Sequence, residues 1–352
     1  MQTWITTSEA AQRLGVKRGT LYSYVSRGIL TSTRRPGQEE SLFDRAEVDA
    51  LAAAKHDGRR AGERLLRFRS VATKVSSITP RGLSLRGVPI ETVCAEMDFA
   101  HAAAFVLQHS GSVPAAPDLD VARVRRVPLE RRIPLAVAEI AAEDPLRGER
   151  AGLSGRTLAL LGTLATVVPE IPFEHPWLQV YSTCLIDNGL AVAATAARVA
   201  ASTRAGLYDT LSAGLGAMAG PLHGGAPVHA YELLAAVAAG DDPDVAITRA
   251  VRRTGRVPGF GHIVYTGDDP RARVVLDLLG GEAVLAAVDA LCERVERPVN
   301  VDLAGAAVCL ALGLPAGAPE VVFQYSRIVG MAAHVAEEYD EAPLRWRGRA
   351  DV

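Results

Sequence analysis

Three short segments in the second half of the chain set ionisable side chains into breaks between apolar stretches: GPLHGGA around His223, RVPGFGH around His262 and NVDLAG around Asp302. In each, Gly or Pro lets the backbone close on a small ligand. Two imidazoles and one carboxylate suit the removal of a proton from a carbon beside a carbonyl. The carboxylate is a base, and the imidazoles donate hydrogen bonds to the oxygen of the enol that forms. A DPR tripeptide follows the second histidine and an SR pair follows the aspartate, which puts Arg271 and Arg327 in the same half of the chain.

The elements that must hold these residues are helical. Runs of helical period fall near residues 92–108, 177–203, 206–219, 227–239, 242–254, 280–295, 302–312 and 319–339. No alternating strand series is present, and no GxGxxG opens a helix after a strand, which argues against a Rossmann nucleotide site. Apolar residues make up 49% of the 352 and aromatics only 5%, as in tightly packed helices rich in Ala, Leu and Val. A formal net charge of -2 gives no general attraction to nucleic acid or anionic membrane. Cys94, Cys184, Cys292 and Cys309 are far apart in apolar context with no CxxC, so they read as reduced, buried thiols and no metal site is expected. The start, MQTWITTSEA, has no apolar signal region, and the longest apolar run, Gly189 to Ala201, is short and broken by Arg198. A cytoplasmic location, with no membrane partner, is the expectation.

Taken in order, the three motifs resemble the citrate synthase family. The resemblance covers most of residues 71–352: GLSLRGVPIETVCAEMDFAHAAAFVL is similar to its entry motif, ARVAASTRAGLYDTLSAGLGAMAGPLHGGAP to the run that delivers its first catalytic histidine, and LRWRGRADV to its arginine-bearing tail. The resemblance implies a mainly α fold with a large helical domain and a smaller one at roughly 224–300, the site lying in the cleft between them. It implies condensation of acetyl-CoA with oxaloacetate to citrate and CoA, acetyl-CoA (or another acyl-CoA) being a substrate and no cofactor being bound permanently. Asp302 matches the carboxylate that deprotonates the acetyl methyl group. His223 matches the histidine on the thioester oxygen, and His262 the one that polarises the ketone and protonates the new alkoxide. Arg271, Arg327 and Arg347 match the arginines that bind the dicarboxylate, for which guanidinium is suited by its two parallel donors. The last of these reaches the neighbouring subunit's site in the family, which implies a homodimer; Arg345 and Arg349 read as surface charges.

Departures from the family pattern bear on the substrate. Asn188 in LIDNGL stands where the family usually has an oxaloacetate-binding histidine, and Asn can donate but cannot become cationic. Ile263 replaces a common basic residue, the DPR-to-NVD stretch is short, and ERVERPVNVD lacks the usual Gly- and Lys-containing lead that helps hold CoA.

Residues 1–56 form a separate module. Thr7 or Ser8 can cap a helix SEAAQRLG that Gly15 ends, and a second helix, KRGTLYSYVSRG, runs to Gly28. ILTSTRRPGQEESLF reads as a two-stranded wing turning at Pro36-Gly37, with DRAEVDALAAAK as a closing helix. The module resembles a winged helix-turn-helix of the MerR or excisionase type, and Lys17, Arg18, Thr20, Ser23 and Arg27 on its second helix, with Arg34 and Arg35 on the wing, would face DNA. The first 60 residues carry ten Lys or Arg against seven Asp or Glu, a small surplus, so a protein-docking role for the module is the alternative to DNA. A basic linker occupies 57–70 and the catalytic part 71–352. Three functions are therefore weighed: a citrate or 2-methylcitrate synthase; a related reaction such as citryl-CoA cleavage; and a metabolite-sensing DNA-binding regulator. A paralogous partner subunit is compatible with any of them.

Overall fold

The computed structural model describes residues 4–14, 16, 21, 24–25, 30–33, 40–49, 51–52, 71–79, 82–265 and 267–346. Two compact units are present, one of residues 1–72 with 239–257 and the other of 73–238 with 258–352.

In the first unit, strand β1 (Trp4–Thr6) leads directly into helix α1 (Thr7–Leu14), and strands β2 (Ser32–Thr33) and β3 (Leu42–Asp44) follow. The sheet is antiparallel with order β1-β3-β2, Ile5 and Ser32 both standing opposite Phe43. The β2–β3 pair is the expected wing, but the third strand, β1, was not anticipated, because three residues are too few to display an alternation. The cap of α1 also differs from the expected Thr7 or Ser8. Thr6 exchanges bonds with Glu9 instead: the Thr6 N–H donates to the Glu9 carboxylate at 2.9 Å and the Glu9 N–H to Thr6 Oγ1 at 3.2 Å, a reciprocal capping box. Thr7 is thereby released to donate its hydroxyl to the Ser41 carbonyl at 2.9 Å, tying α1 to β3. Ile5, Ala10, Ala11, Leu14, Leu21, Leu30, Phe43 and Val48 bury one another as its core.

The second unit opens with a small antiparallel sheet, β4 (Ser76–Thr79), β5 (Gly82–Leu85) and β6 (Val88–Pro89). Arg86 and Gly87 form the two-residue turn between β5 and β6 with φ of 49° and 84°, the pair of positive values that a type I′ hairpin requires. Helices follow: α2 (Ile90–Glu96), α3 (Phe99–Val106), α4 (Val121–Val124), α5 (Leu129–Glu143), α6 (Leu153–Val167), α7 (Pro176–Leu185), α8 (Val192–Ser202), α9 (Leu207–Met218) and α10 (Ala226–Ala238). Next, α11 (Pro243–Thr254) belongs to the first unit, and α12 (Pro270–Asp277), α13 (Val284–Cys292), α14 (Val301–Ala311) and α15 (Ala318–Tyr339) complete the second. The architecture is mainly α, as expected.

The centre of the second unit is α15, buried on every side from Val321 to Val335 and packed against α3, α5 to α10 and α14. Its polar side chains there, Gln324, Ser326, Arg327 and His334, are buried with the apolar ones. Helices α5 and α6 were not among the expected runs. Pro134 inside α5 interrupts the pattern, yet the helix tolerates it: the Glu130 carbonyl that a proline N–H cannot reach accepts from Gln324 of α15 at 3.1 Å. The single run expected at 177–203 is two helices, because Gly189, at φ 65°, turns the chain after Asp187-Asn188. That turn lies close against α15, where any side chain at Gly330 would collide with the Ile186 carbonyl.

Candidate active site

The loop carrying His262 and the helix carrying Asp302 are joined through one residue. Asn300 caps α14 by accepting from the Asp302 N–H at 3.0 Å, and its amide donates to the Gly261 carbonyl at 2.9 Å. Its own N–H donates to the Gly259 carbonyl at 2.9 Å and Gly261 N–H to the Pro298 carbonyl at 2.8 Å, so the two segments are zipped side by side. Asp302 thus lies in the first turn of α14, where the helix dipole favours a carboxylate.

Asp269 provides a second joint. It caps α12 through Arg271 N–H at 3.1 Å, accepts from Val301 N–H at 3.1 Å, and forks the Arg271 guanidinium at 3.0 and 2.8 Å. Both side chains are buried, and although burial opposes the charge of Arg271, the Asp269 carboxylate beside it raises its pKa above the ordinary value. Asp302 adds to that effect. Nε and Nη2 of Arg271 are committed to Asp269, which leaves Nη1 as the edge a ligand carboxylate can meet.

His262 is oriented by its own turn. Its Nδ1 accepts from the N–H groups of Val264 and Tyr265 at 3.1 and 3.3 Å, which puts the ring hydrogen on Nε2. Burial, and then the Arg271 charge, push its pKa down to about 4. Beyond Nε2, at 3.4 Å, lies the amide of Asn188, whose other atom meets the Tyr265 hydroxyl at 3.2 Å. Since Nε2 carries hydrogen, the amide satisfies both neighbours when its oxygen faces His262 and its NH2 faces Tyr265. Tyr265 also stacks on His262 with ring centres 4.5 Å apart and receives the Arg271 guanidinium over its face at 5.6 Å.

His223 follows α9 in a tight turn, its N–H donating to the Gly220 carbonyl at 3.0 Å. Its ring stands edge-on to Phe323 at 5.3 Å, and the Arg327 guanidinium lies over the same phenyl ring at 4.8 Å. Burial, and then the Arg327 charge, push His223 down to about 4. Arg327 is itself 1% exposed. It donates Nε to the Leu185 carbonyl at 2.9 Å, whereas its Nη1 and the Nε2 of His223 are buried polar atoms with no partner among the described residues. Burial lowers the Arg327 pKa to about 10, Asp187 opposing and Arg271 reinforcing the shift. A buried guanidinium with an open donor beside a neutral imidazole with an open ring nitrogen is chemically suited to an anionic, carbonyl-bearing ligand.

The Asp187-Asn188-Gly189 turn rests on a buried polar chain. Arg198 donates to His334 Nδ1 at 3.1 Å, and because Arg is an obligate donor, His334 donates from Nε2 to Asp187 at 3.0 Å. Ser76 also donates to Asp187, at 2.5 Å, while accepting from Gly189 N–H at 2.8 Å. Burial would raise the Asp187 pKa, but His334 and Arg327 hold it below the carboxylate norm. Arg198, read in the sequence as a break in an apolar run, is fully buried against Glu338 at 2.8 Å. Arg345 is likewise not a plain surface charge, since it forks Glu338 at 2.7 and 2.6 Å. A buried carboxylate draws in every available cation.

His223, His262, Asp302, Arg271, Arg327 and Asn188 lie within one unit: His223 and Arg327 meet at Phe323, and His262, Arg271 and Asn188 meet at Tyr265. Arg347 lies outside the described residues, as do Lys17, Arg18, Thr20, Ser23, Arg27, Arg34 and Arg35. Sequence reasoning overlooked Tyr265, Asp269, Asn300 and Asp187 as site residues. Asp269-Pro270 and Asn300 were detectable as helix caps, whereas nothing local marks Tyr265 or Asp187.

A family model described as the citrate synthase C-terminal domain matches residues 169–347, about half of the chain. The chain belongs to the citrate synthase family. A helix-turn-helix domain model matches residues 4–56. Among similar curated proteins, the citrate synthase of Haloferax volcanii is 32% identical over 183 residues, 47% of this chain and 48% of that protein. Citrate synthase 2 of Bacillus subtilis is 31% identical over 176 residues, 47% of each. The matched part of the chain thus spans about half the length of these relatives. The fold is similar to that of citrate synthase from Thermoplasma acidophilum, solved as a ternary complex with carboxymethyl coenzyme A and oxaloacetate: TM-score 0.68, 20% identity, 82% of this chain and 95% of that one. Citrate synthase from Thermotoga maritima gives a TM-score of 0.66 at 20% identity, over 82% and 95% of the two chains.

Proposed function

We propose that the chain condenses an acyl-CoA with oxaloacetate, releasing CoA and citrate from acetyl-CoA or 2-methylcitrate from propionyl-CoA. Asp302 removes the α-proton, His223 donates to the thioester oxygen as it becomes an enol, and His262 donates Nε2–H to the ketone of the second substrate. Arg327 and the free edge of Arg271 bind the dicarboxylate, with Arg347 completing the site from a neighbouring subunit of a homodimer. Asn188 contacts the same substrate. The observation that carries this reading is the buried Arg327 Nη1 with His223 Nε2, two unpartnered polar atoms whose groups share the Phe323 ring. Neutral imidazoles suit these roles, because a hydrogen-bond donor is needed at each oxygen and a second fixed cation is not.

The organisation proposed with it is a helix-turn-helix module at 1–56, a linker at 57–70 and a catalytic part at 71–352 with its smaller domain near 224–300. The match to a helix-turn-helix model favours one second reading, in which the helical part senses a metabolite and the front module binds DNA. Release of free CoA thiol from acetyl-CoA and propionyl-CoA, with and without oxaloacetate, separates the two. Oxaloacetate-dependent release supports the synthase; oxaloacetate binding without release, together with salt-dependent DNA affinity, supports the sensor. Release from citryl-CoA alone would instead assign the lyase-type reaction.

A further inference from the structure

Cys94 on α2 and Cys184 on α7 are 90 residues apart in sequence, yet their sulfur atoms lie 3.6 Å from each other. Both are free thiols; Cys94 is half-buried and Cys184 fully buried. A disulfide bond is about 2.05 Å long, so the sulfurs need to approach by roughly 1.5 Å, a distance within the small helix shifts that packed proteins make. Cys94 is the partly exposed member of the pair and Cys184 the enclosed one.

What surrounds the pair gives its closure a consequence. Cys184 directly precedes Leu185, whose carbonyl holds Arg327 Nε at 2.9 Å. Helix α12, which carries Arg271 in its first turn, packs against both α2 and α7. The charges of Arg271 and Asp269 are felt at Cys184. Both buried arginines are therefore tied to the helices that carry the thiols.

We propose that Cys94 and Cys184 are an oxidant-responsive dithiol that a small hydroperoxide closes to an intramolecular disulfide, weakening dicarboxylate binding at Arg327 and Arg271. The Cys94 thiolate attacks a peroxide oxygen; the O–O bond breaks, the sulfur becomes a sulfenic acid, and an alcohol or water leaves after taking a proton. The Cys184 sulfur then attacks the sulfenic sulfur, the S–S bond forms, the S–O bond breaks, and the departing hydroxide takes the thiol proton as water. Two electrons pass from the thiol pair to the peroxide. The dithiol itself stands on the sulfur geometry, while the effect on binding rests on the reading of the site given above.

The test uses the full-length chain with Cys292→Ser, which removes an exposed thiol able to link two molecules. After hydrogen peroxide, alkylation and digestion, mass spectrometry should find one peptide joining Cys94 to Cys184, absent after dithiothreitol and absent in Cys94→Ser. Titration calorimetry with oxaloacetate should give an affinity about fivefold or more weaker in the oxidised chain, restored by dithiothreitol. Cys94 recovered as sulfinic acid or unmodified, with no linked peptide, overturns the dithiol. A linked peptide with unchanged affinity overturns the binding effect. If oxaloacetate binds neither form, the failure belongs to the site reading and takes the binding effect with it, while the peptide map still decides the disulfide.

Discussion

Replacing Arg327 with Met separates a binding role from a structural one. The guanidinium is 1% exposed, and burial holds its pKa near 10, well below the ordinary arginine value. At about 1.36 kcal/mol per pKa unit, the folded chain destabilises this charge by roughly 3 kcal/mol relative to the unfolded chain. The arginine stays protonated well above neutrality, so the whole cost is present there. Methionine fills much of the same volume and removes that cost. It also forfeits the bond to the Leu185 carbonyl and the contact with Phe323, worth about 1.5–3 and about 0.5–2 kcal/mol respectively. The two sides nearly cancel, so the ligand-free variant should unfold within about 2 kcal/mol of the parent, unlike the loss of about 3–5 kcal/mol that follows when one partner of a buried ion pair is removed. Ligand binding should respond in the opposite way. Loss of a buried hydrogen-bonded charge from a binding site costs about 2–5 kcal/mol, roughly 30-fold to several thousand-fold in affinity. Thermal and denaturant unfolding, each with and without oxaloacetate, measure both quantities. A variant that loses several kcal/mol unliganded yet keeps its oxaloacetate-induced stabilisation would refute the assignment and make Arg327 a structural element.

Four further outcomes are expected. Asp302→Ala should lower condensation by about 10² to 10⁴-fold, the usual contribution of a general base, while oxaloacetate affinity stays nearly intact; unchanged turnover removes Asp302 as the base. Asn188→His should tighten oxaloacetate binding in calorimetry by placing a group that can become cationic where the Asn188 amide now lies beside His262 Nε2, and an unaltered affinity takes position 188 out of the site. The pKa of both His223 and His262 is lowered from 6.5 to about 4. Between those values the unfolded chain binds protons that the folded chain does not, so stability should fall as pH drops through this window. The acid limb of kcat/KM should likewise lie well below 6.5, and a limb centred on 6.5 contradicts two buried neutral imidazoles. Lys17→Ala combined with Arg18→Ala should reduce the salt dependence of DNA binding by about two counterions; no DNA affinity in the parent at low salt points to a docking role for the front module.

Much of the helical framework was readable because its punctuation is local. Asp242-Pro243 opens α11 and Gly206 opens α9, each a signal spanning a few residues. Where punctuation misled, it did so for tertiary reasons: Pro134 sits inside α5 because Gln324, nearly two hundred residues later, takes the carbonyl that the proline leaves open. The three-residue strand β1 is ordered by pairing with β3, which no local pattern encodes.

The division is the same at the site. Residue type and spacing determined that His223, His262 and Asp302 occupy Gly- or Pro-marked breaks and that arginines accompany them, since such breaks depend on the conformational freedom of single residues. Only the tertiary structure decided what each group is free to do. It committed two edges of Arg271 to Asp269, left Arg327 buried with an open donor, set the Asn188 amide between His262 and Tyr265, and brought Cys94 to Cys184. Charge, tautomer and reactivity depend on burial and on neighbours within a few ångströms, and most of those neighbours come from distant parts of the chain.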